Sequence, residues 1–132
     1  PVLQSLPKRL EKKVLTVSSM DLKYGSKLTG AYQPIGMMYE RPVYKKMKIR
    51  KYNKKDKESG NMFLYYCENG WWFAEALDLA SEAFIAYSNS NSKMPPQHGF
   101  RLQSEKIDPT LSVRRTQARP PWTEPKSRNT VK

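Results

Sequence analysis

Residues 63–73 read FLYYCENGWWF, and their reading decides the fold. Two runs of aromatic and apolar side chains flank Glu68, Asn69 and Gly70. Asn-Gly can take the positive φ angles that a primed hairpin turn requires, so the stretch predicts two antiparallel strands joined by a tight turn. Successive side chains on a strand point to opposite faces, so Tyr65 and Tyr66 part company, as do Trp71 and Trp72.

Upstream, GAYQPIGMMY (30–39) and RPVYKKMKI (41–49) are rich in Tyr, Ile, Val and Met and predict two further antiparallel strands. Pro34, Gly36 and Pro42 punctuate them as edge or turn residues would. In the second, Val43, Met47 and Ile49 are the apolar positions, with Lys48 and Arg50 alternating as on a half-solvated strand. YNKKDKESGN (52–61) is a charged loop.

Downstream, FAEALDLASEAFIAY (73–87) has helix-like composition, and Trp72, Ala76, Ala80, Ala83 and Tyr87 would share one helix face. Yet WWFA closes a hairpin and FIAY suits a strand. The reading adopted is a strand ending near Leu77, a turn over 78–82 and a strand over 83–87. SNSNSKMPP (88–96) is a loop, GFRLQS (99–104) a short strand, and Leu111 and Val113 belong to a last one. In SLPKRLEKKVLTV (5–17) the spacing of Leu6, Leu10, Val14 and Val17, with Pro7 in the first turn, predicts a short amphipathic helix. Two uses for it stay open, a surface helix on its own domain and a basic helix laid on a partner.

The expected fold is mainly β: a small antiparallel sheet or partly open barrel, with a short N-terminal helix and extended basic tails. Residues 1–28 form a basic arm, 29–113 the β domain and 114–132 a basic Pro-rich tail. Tyr32, Leu64, Tyr66, Trp72 and Phe84 form the expected core, because Tyr and Trp supply much of the area that a small β domain can bury. The competing use of the aromatics is a base-stacking platform made by Tyr44, Tyr52, Tyr65, Tyr66, Trp71 and Trp72.

Lys and Arg number 24 against 12 acids, a net charge of +12, which points to a polyanionic neighbour. Residues 1–27 carry 6 basic and 2 acidic groups, 28–113 carry 12 and 9, and 114–132 carry 6 and 1, so the ends hold most of the excess. The partner-binding candidates are Arg114, Arg115, Arg119, Trp122, Lys126 and Arg128 in the tail, and Lys45, Lys46, Lys48, Arg50 and Lys51 in the central run. Trp122, beside Pro120 and Pro121, is read as an aromatic anchor among cations.

The chemical inventory is thin. His98 is the one histidine, in a loop after two prolines, and Cys67 is the one cysteine, expected as a small buried residue in a strand. Zinc calls for more Cys and His than these. Gly30 and Gly36 lie in strand-like context without a phosphate-loop sequence. Glu75, Asp78 and Glu82 read as a solvated face. The expectation is therefore no catalytic residues, no metal and no cofactor. No apolar run reaches the ~20 residues that cross a bilayer as a helix.

GAYQPIGMMYERPVYKK, FLYYCENGWWF, FIAYSNSNSKMPPQHGFRL and PTLSV resemble a small domain found, often in tandem copies, in proteins of dinoflagellates and related protists. Gly30, Tyr32, Gly36, Arg41, Pro42, Tyr44, Leu64, Tyr65, Tyr66, Trp72, Ala86, Tyr87, Pro95 and Pro96 match its pattern in order, over about residues 29–113. The chain departs from it at Phe100, where Trp is usual, and in its longer Lys-rich loop. The resemblance implies a small non-catalytic β domain. It also implies an extrinsic accessory subunit of a large membrane complex, a photosystem I supercomplex at the chloroplast thylakoid, contacting other protein subunits. The net charge supports the alternative of a structural RNA-binding protein of an organelle ribosome.

Overall fold

The computed structural model describes residues 2–48, 61–67, 69–77 and 84–116. Eight antiparallel strands make one sheet curled into a half-barrel: β1 (Leu15–Ser18), β2 (Gly30–Met38), β3 (Arg41–Lys46), β4 (Phe63–Cys67), β5 (Gly70–Ala74), β6 (Phe84–Ser88), β7 (Arg101–Leu102) and β8 (Ser112–Arg115). Their order across the sheet is β7-β6-β5-β4-β3-β2-β1-β8. Neighbours in sequence are neighbours in space except at the end, where β8 returns to pair with β1. A strap before β7 spans the gap between the two edges: Val113 N–H donates to the Gln97 carbonyl at 3.0 Å, and Asp108 N–H to the Phe100 carbonyl at 3.0 Å.

The central hairpin forms as its sequence requires. Cys67 pairs with Gly70 across the hairpin, and Asn69, in the turn between them, takes φ 69°, the left-handed region that Asn tolerates. Gly70 belongs to the strand, and its need is space: a Cβ there would collide with the Ser88 carbonyl oxygen. The β2–β3 hairpin turns on Tyr39 and Glu40 at φ 55° and 60°, both left-handed, the signature of a primed turn built without glycine.

The N-terminal helix is a correction. Lys8–Leu10 is one 3-10 turn, and the residues after it form β1, with Leu15 and Val17 buried while Thr16 and Ser18 are exposed. The spacing of Leu6, Leu10, Val14 and Val17 suits a helix, but so short a helix is marginal in water. As a strand, the same residues gain two ladders, one to β2 and one to β8. β1 therefore lies inside the sheet, and Arg114 and Arg115, expected in a free tail, end its last strand. A four-residue helical turn, α1 (Gly25–Leu28), links β1 to β2. The helix alternative for 73–87 gives way to strands β5 and β6 at its two ends. Residues 78–82, where the turn is expected, and Ala83, expected to open the next strand, lie outside the described residues.

Pro34 and Pro42 are also corrected, since both lie within strands near the middle of the sheet. Pro34 sits where β2 slips a rung against β3, between Pro34 and Gly36, and Pro42 precedes the first rung between β3 and β4. Bulges and strand starts are where a strand tolerates a residue without an N–H.

The sheet buries side chains on both faces. The concave face holds the main core, with Val17, Leu28, Tyr32, Tyr44, Leu64, Trp71, Phe73, Phe100 and Leu111 all fully buried. The convex face carries a second cluster of Met38, Val43, Tyr65, Cys67 and Ala74, with Ile35, Phe63, Trp72 and Leu77 packed against it. Trp71, not Trp72, thus belongs to the main core. Tyr32 and Leu64 are buried as expected, whereas Tyr66, Trp72 and Phe84 are half-buried. Trp72 stacks on Tyr87 with centroids 5.1 Å apart, because β5 and β6 place them directly opposite each other on the convex face. Val43, expected as an apolar position, is fully buried on that face; of the run expected to alternate, Met47 and Lys48 are exposed just beyond the end of β3, and Ile49 and Arg50 lie outside the described residues.

Candidate cationic site at the end of the barrel

At the end of the half-barrel where β1 begins and β8 stops, a tight turn concentrates charge. Leu10 N–H donates to the Pro7 carbonyl at 2.9 Å and Lys13 N–H to the Leu10 carbonyl at 3.1 Å. With Leu10 buried inward, the cations beside it are left on the outside. Thr116 N–H donates to the Val14 carbonyl at 2.8 Å, and the Thr16 and Thr116 hydroxyls share a hydrogen bond, which holds the end of β8 against this turn.

The result is a pocket of about 570 Å³ lined by Lys8, Arg9, Lys12, Lys13, Arg115, Thr116 and Glu11. Five cations face one acid. Among the described residues none of the five is in an ion pair, and the one salt bridge joins Lys27 to Glu75 at 3.2 Å, on another part of the surface. Like charges gathered without partners repel one another, so an anion entering the pocket relieves that repulsion and gains several charge-assisted hydrogen bonds.

Of the expected partner-binding residues, Arg115 lines this pocket and Arg114, also exposed, precedes it on β8. The four N-terminal cations were legible as a KRLEKK run but were assigned to a helix. What gathers them with Arg115 is the return of β8 to β1, a pairing about a hundred residues apart in sequence. Lys45, Lys46 and Lys48 are not part of the pocket, because β2 and β1 separate their strand from β8. Lys45 lies with its ammonium 5.7 Å from the Phe63 ring centroid. Lys46 points the other way and donates to the Ser26 and Lys27 carbonyls at 3.3 and 3.0 Å, and burial lowers its pKa. Lys48 is exposed. Arg50, Lys51, Arg119, Trp122, Lys126 and Arg128 lie outside the described residues.

The aromatics serve the core more than they serve a surface. Tyr44, Tyr65 and Trp71 are buried, Tyr66 and Trp72 are half-buried, and Tyr52 lies outside the described residues. Arg41 is structural as well: its guanidinium rests 3.7 Å over the Tyr66 ring and donates to the Ser92 and Asn91 carbonyls at 2.9 and 2.6 Å. Other polar groups near the core are also engaged. The Tyr32 hydroxyl donates to the Leu28 carbonyl at 2.8 Å, and burial pushes its pKa up. The Tyr24 hydroxyl donates to Gln103 at 3.1 Å. Asp108 accepts from Ser19 at 2.7 Å and from the Thr110 amide and hydroxyl at 2.9 and 2.6 Å.

His98 is exposed, Cys67 is buried, and among the described residues no group of three or more metal-ligating side chains occurs. Among the same residues no helix is long and apolar enough to cross a membrane. No family model, curated protein or solved structure matches the chain.

Proposed function

We propose that this protein is a non-catalytic accessory subunit, held to an anionic surface of a larger assembly by the cationic pocket where β1 begins. The observation that carries this reading is the set of five cations drawn together by the β1–β8 pairing, without an ion pair among the described residues and with Glu11 the one acid in the lining. Binding of an anionic surface neutralises that repulsion, and steering by the net charge of +12 speeds the encounter. The commitment of Asp108, Tyr24 and Tyr32 to structural hydrogen bonds is what a scaffold, rather than a reaction centre, would show.

The motif resemblance supplies the assembly for this reading, an extrinsic position on a photosystem I supercomplex at the thylakoid surface. One observation favours a second reading, structural RNA of an organelle ribosome. Lys and Arg side chains beside the Thr116 hydroxyl are the donors that phosphate groups recruit, and they supply the sequence-independent part of nucleic-acid binding.

Binding of the full chain to detergent-solubilised photosystem I and to structured RNA, each measured across a salt series, decides between them. The photosystem reading expects saturable binding to the complex that weakens when Lys12 and Lys13 are changed together to Gln. Tight RNA binding at physiological salt, falling steeply as salt rises, would establish the RNA reading instead. Unchanged binding in the Lys12→Gln, Lys13→Gln double variant would sink the pocket's role in either.

A further inference from the structure

The cations at the end of the half-barrel stand on a fixed frame. The N–H groups of Leu10, Glu11, Lys13 and Val14 donate to the carbonyls of Pro7, Lys8, Leu10 and Lys12 at 2.9, 3.2, 3.1 and 3.0 Å, and Leu10 is buried beneath the turn that results. The Thr116 N–H, bonded to the Val14 carbonyl at 2.8 Å, secures the end of β8 and with it Arg115. A basic tail that follows a broad surface needs no such frame. Cations held around a concavity repel one another, and an anion of matching size and charge offsets that repulsion.

The lining says what kind of anion fits. Among the described residues it consists of five cations, Glu11 and Thr116, with no aromatic ring and no aliphatic side chain. A nucleobase calls for a stacking ring and an amphiphile for an apolar wall, so this pocket recognises charge alone. Five positive side chains and one negative leave +4. The volume of about 570 Å³ lies in the range of small-molecule sites. A phosphate group carries up to two charges and several acceptor oxygens, so a few linked phosphates supply that charge in a small space, where an acidic peptide would need about four side chains spread along its backbone. Arg9 and Arg115 contribute planar forks that phosphate oxygens accept from in pairs, and the lysines act as point charges around them.

We infer that the pocket binds a compact polyphosphate, an anion with several phosphate groups on one small frame. Arg9 grips it from the turn and Arg115 from the end of β8, while Lys8, Lys12 and Lys13 neutralise the remaining charge. This rests on the reading of the pocket as the docking site and gives that site a regulator. A free polyphosphate competes for the cations that would hold the anionic surface of the assembly, so its concentration sets how firmly the subunit is held.

The test is calorimetric titration of the full chain with tripolyphosphate and with inositol hexakisphosphate, at fixed ionic strength and without divalent cations, which separates a linear inorganic chain from phosphates carried on a ring. One saturable site is expected for at least one of them, with no displacement by sulfate at the same ionic strength. Changing Lys12 and Lys13 together to Gln should weaken binding by at least about tenfold. Lys23→Gln with Lys106→Gln removes the same charge from exposed residues outside the pocket and should leave affinity within about twofold. Arg115→Lys keeps the charge but removes a fork, and should still weaken binding. Glu11→Gln should tighten it by about threefold, a gain that misfolding cannot imitate. Absence of saturable binding of both anions overturns the proposal, as does equal loss in the two double variants or a Glu11→Gln variant no tighter than the parent. If Lys12→Gln with Lys13→Gln loses the polyphosphate yet docks on the assembly as the parent does, the docking role falls and the polyphosphate site stands. Lost docking in a chain that binds no polyphosphate is the reverse result.

Discussion

Truncating the two adjacent tryptophans tests which face of the sheet carries the main core. Trp71 is fully buried, packs edge-on to Tyr66 with centroids 5.8 Å apart, and donates its indole N–H to the Ser92 carbonyl at 3.0 Å. Trp71→Ala removes a large aromatic from the centre of the core, a change that costs ~3–5 kcal/mol. The loss of the indole donor adds little, because Arg41 also donates to the Ser92 carbonyl, at 2.9 Å. Trp72 is half-buried on the convex face, stacked on Tyr87 and donating to the Cys67 carbonyl at 2.7 Å. Its truncation loses two aromatic contacts, with Tyr87 and with Phe84, and one hydrogen bond, about 2 kcal/mol in all. Urea unfolding followed by far-UV circular dichroism reads both variants without relying on tryptophan emission. With a slope of about 2 kcal/mol per molar urea, Trp71→Ala should lower the midpoint by about 2 M and Trp72→Ala by about 1 M. A Trp72→Ala variant as destabilised as Trp71→Ala would refute the assignment of faces.

Two further outcomes follow from the turns and the buried carboxylate. Glu40 and Tyr39 hold left-handed φ at the β2–β3 turn, so Glu40→Gly should raise stability by about 0.5–1 kcal/mol in a thermal melt, and a lower melting temperature would show that the turn carries no strain. At Asp108, burial pushes the pKa up. Hydrogen bonds from the Thr110 and Ser19 side chains and the Thr110 and Leu111 amides together outweigh it and leave the carboxyl below its usual value. A depressed folded pKa means that the contribution is fully present above the unfolded value of about 3.9 and is lost as pH falls through the folded one. Asp108→Asn should therefore be less stable than the parent at pH 7, with the gap closing below about pH 4; a gap unchanged at pH 3 would contradict this reading of the carboxylate.

The sequence by itself determined the antiparallel class, the central hairpin and most of the strands, because these rest on local signals. Asn69 turns the chain whatever surrounds it, and the Val, Tyr and Phe runs on either side pair with their immediate neighbours. The opposition of Trp71 and Trp72 was equally legible, since it follows from the pleat alone. Which of the two enters the main core was not, because alternation gives two faces without saying which one the sheet curls around. The same limit accounts for β1. The spacing from Leu6 to Val17 satisfies a helix and a strand alike, and only the ladders to β2 and β8 decide between them, the second formed with residues at the far end of the domain. The cationic site shares that origin. The KRLEKK turn and Arg115 are remote in sequence, and their chemistry exists only where the return of β8 to β1 brings them together.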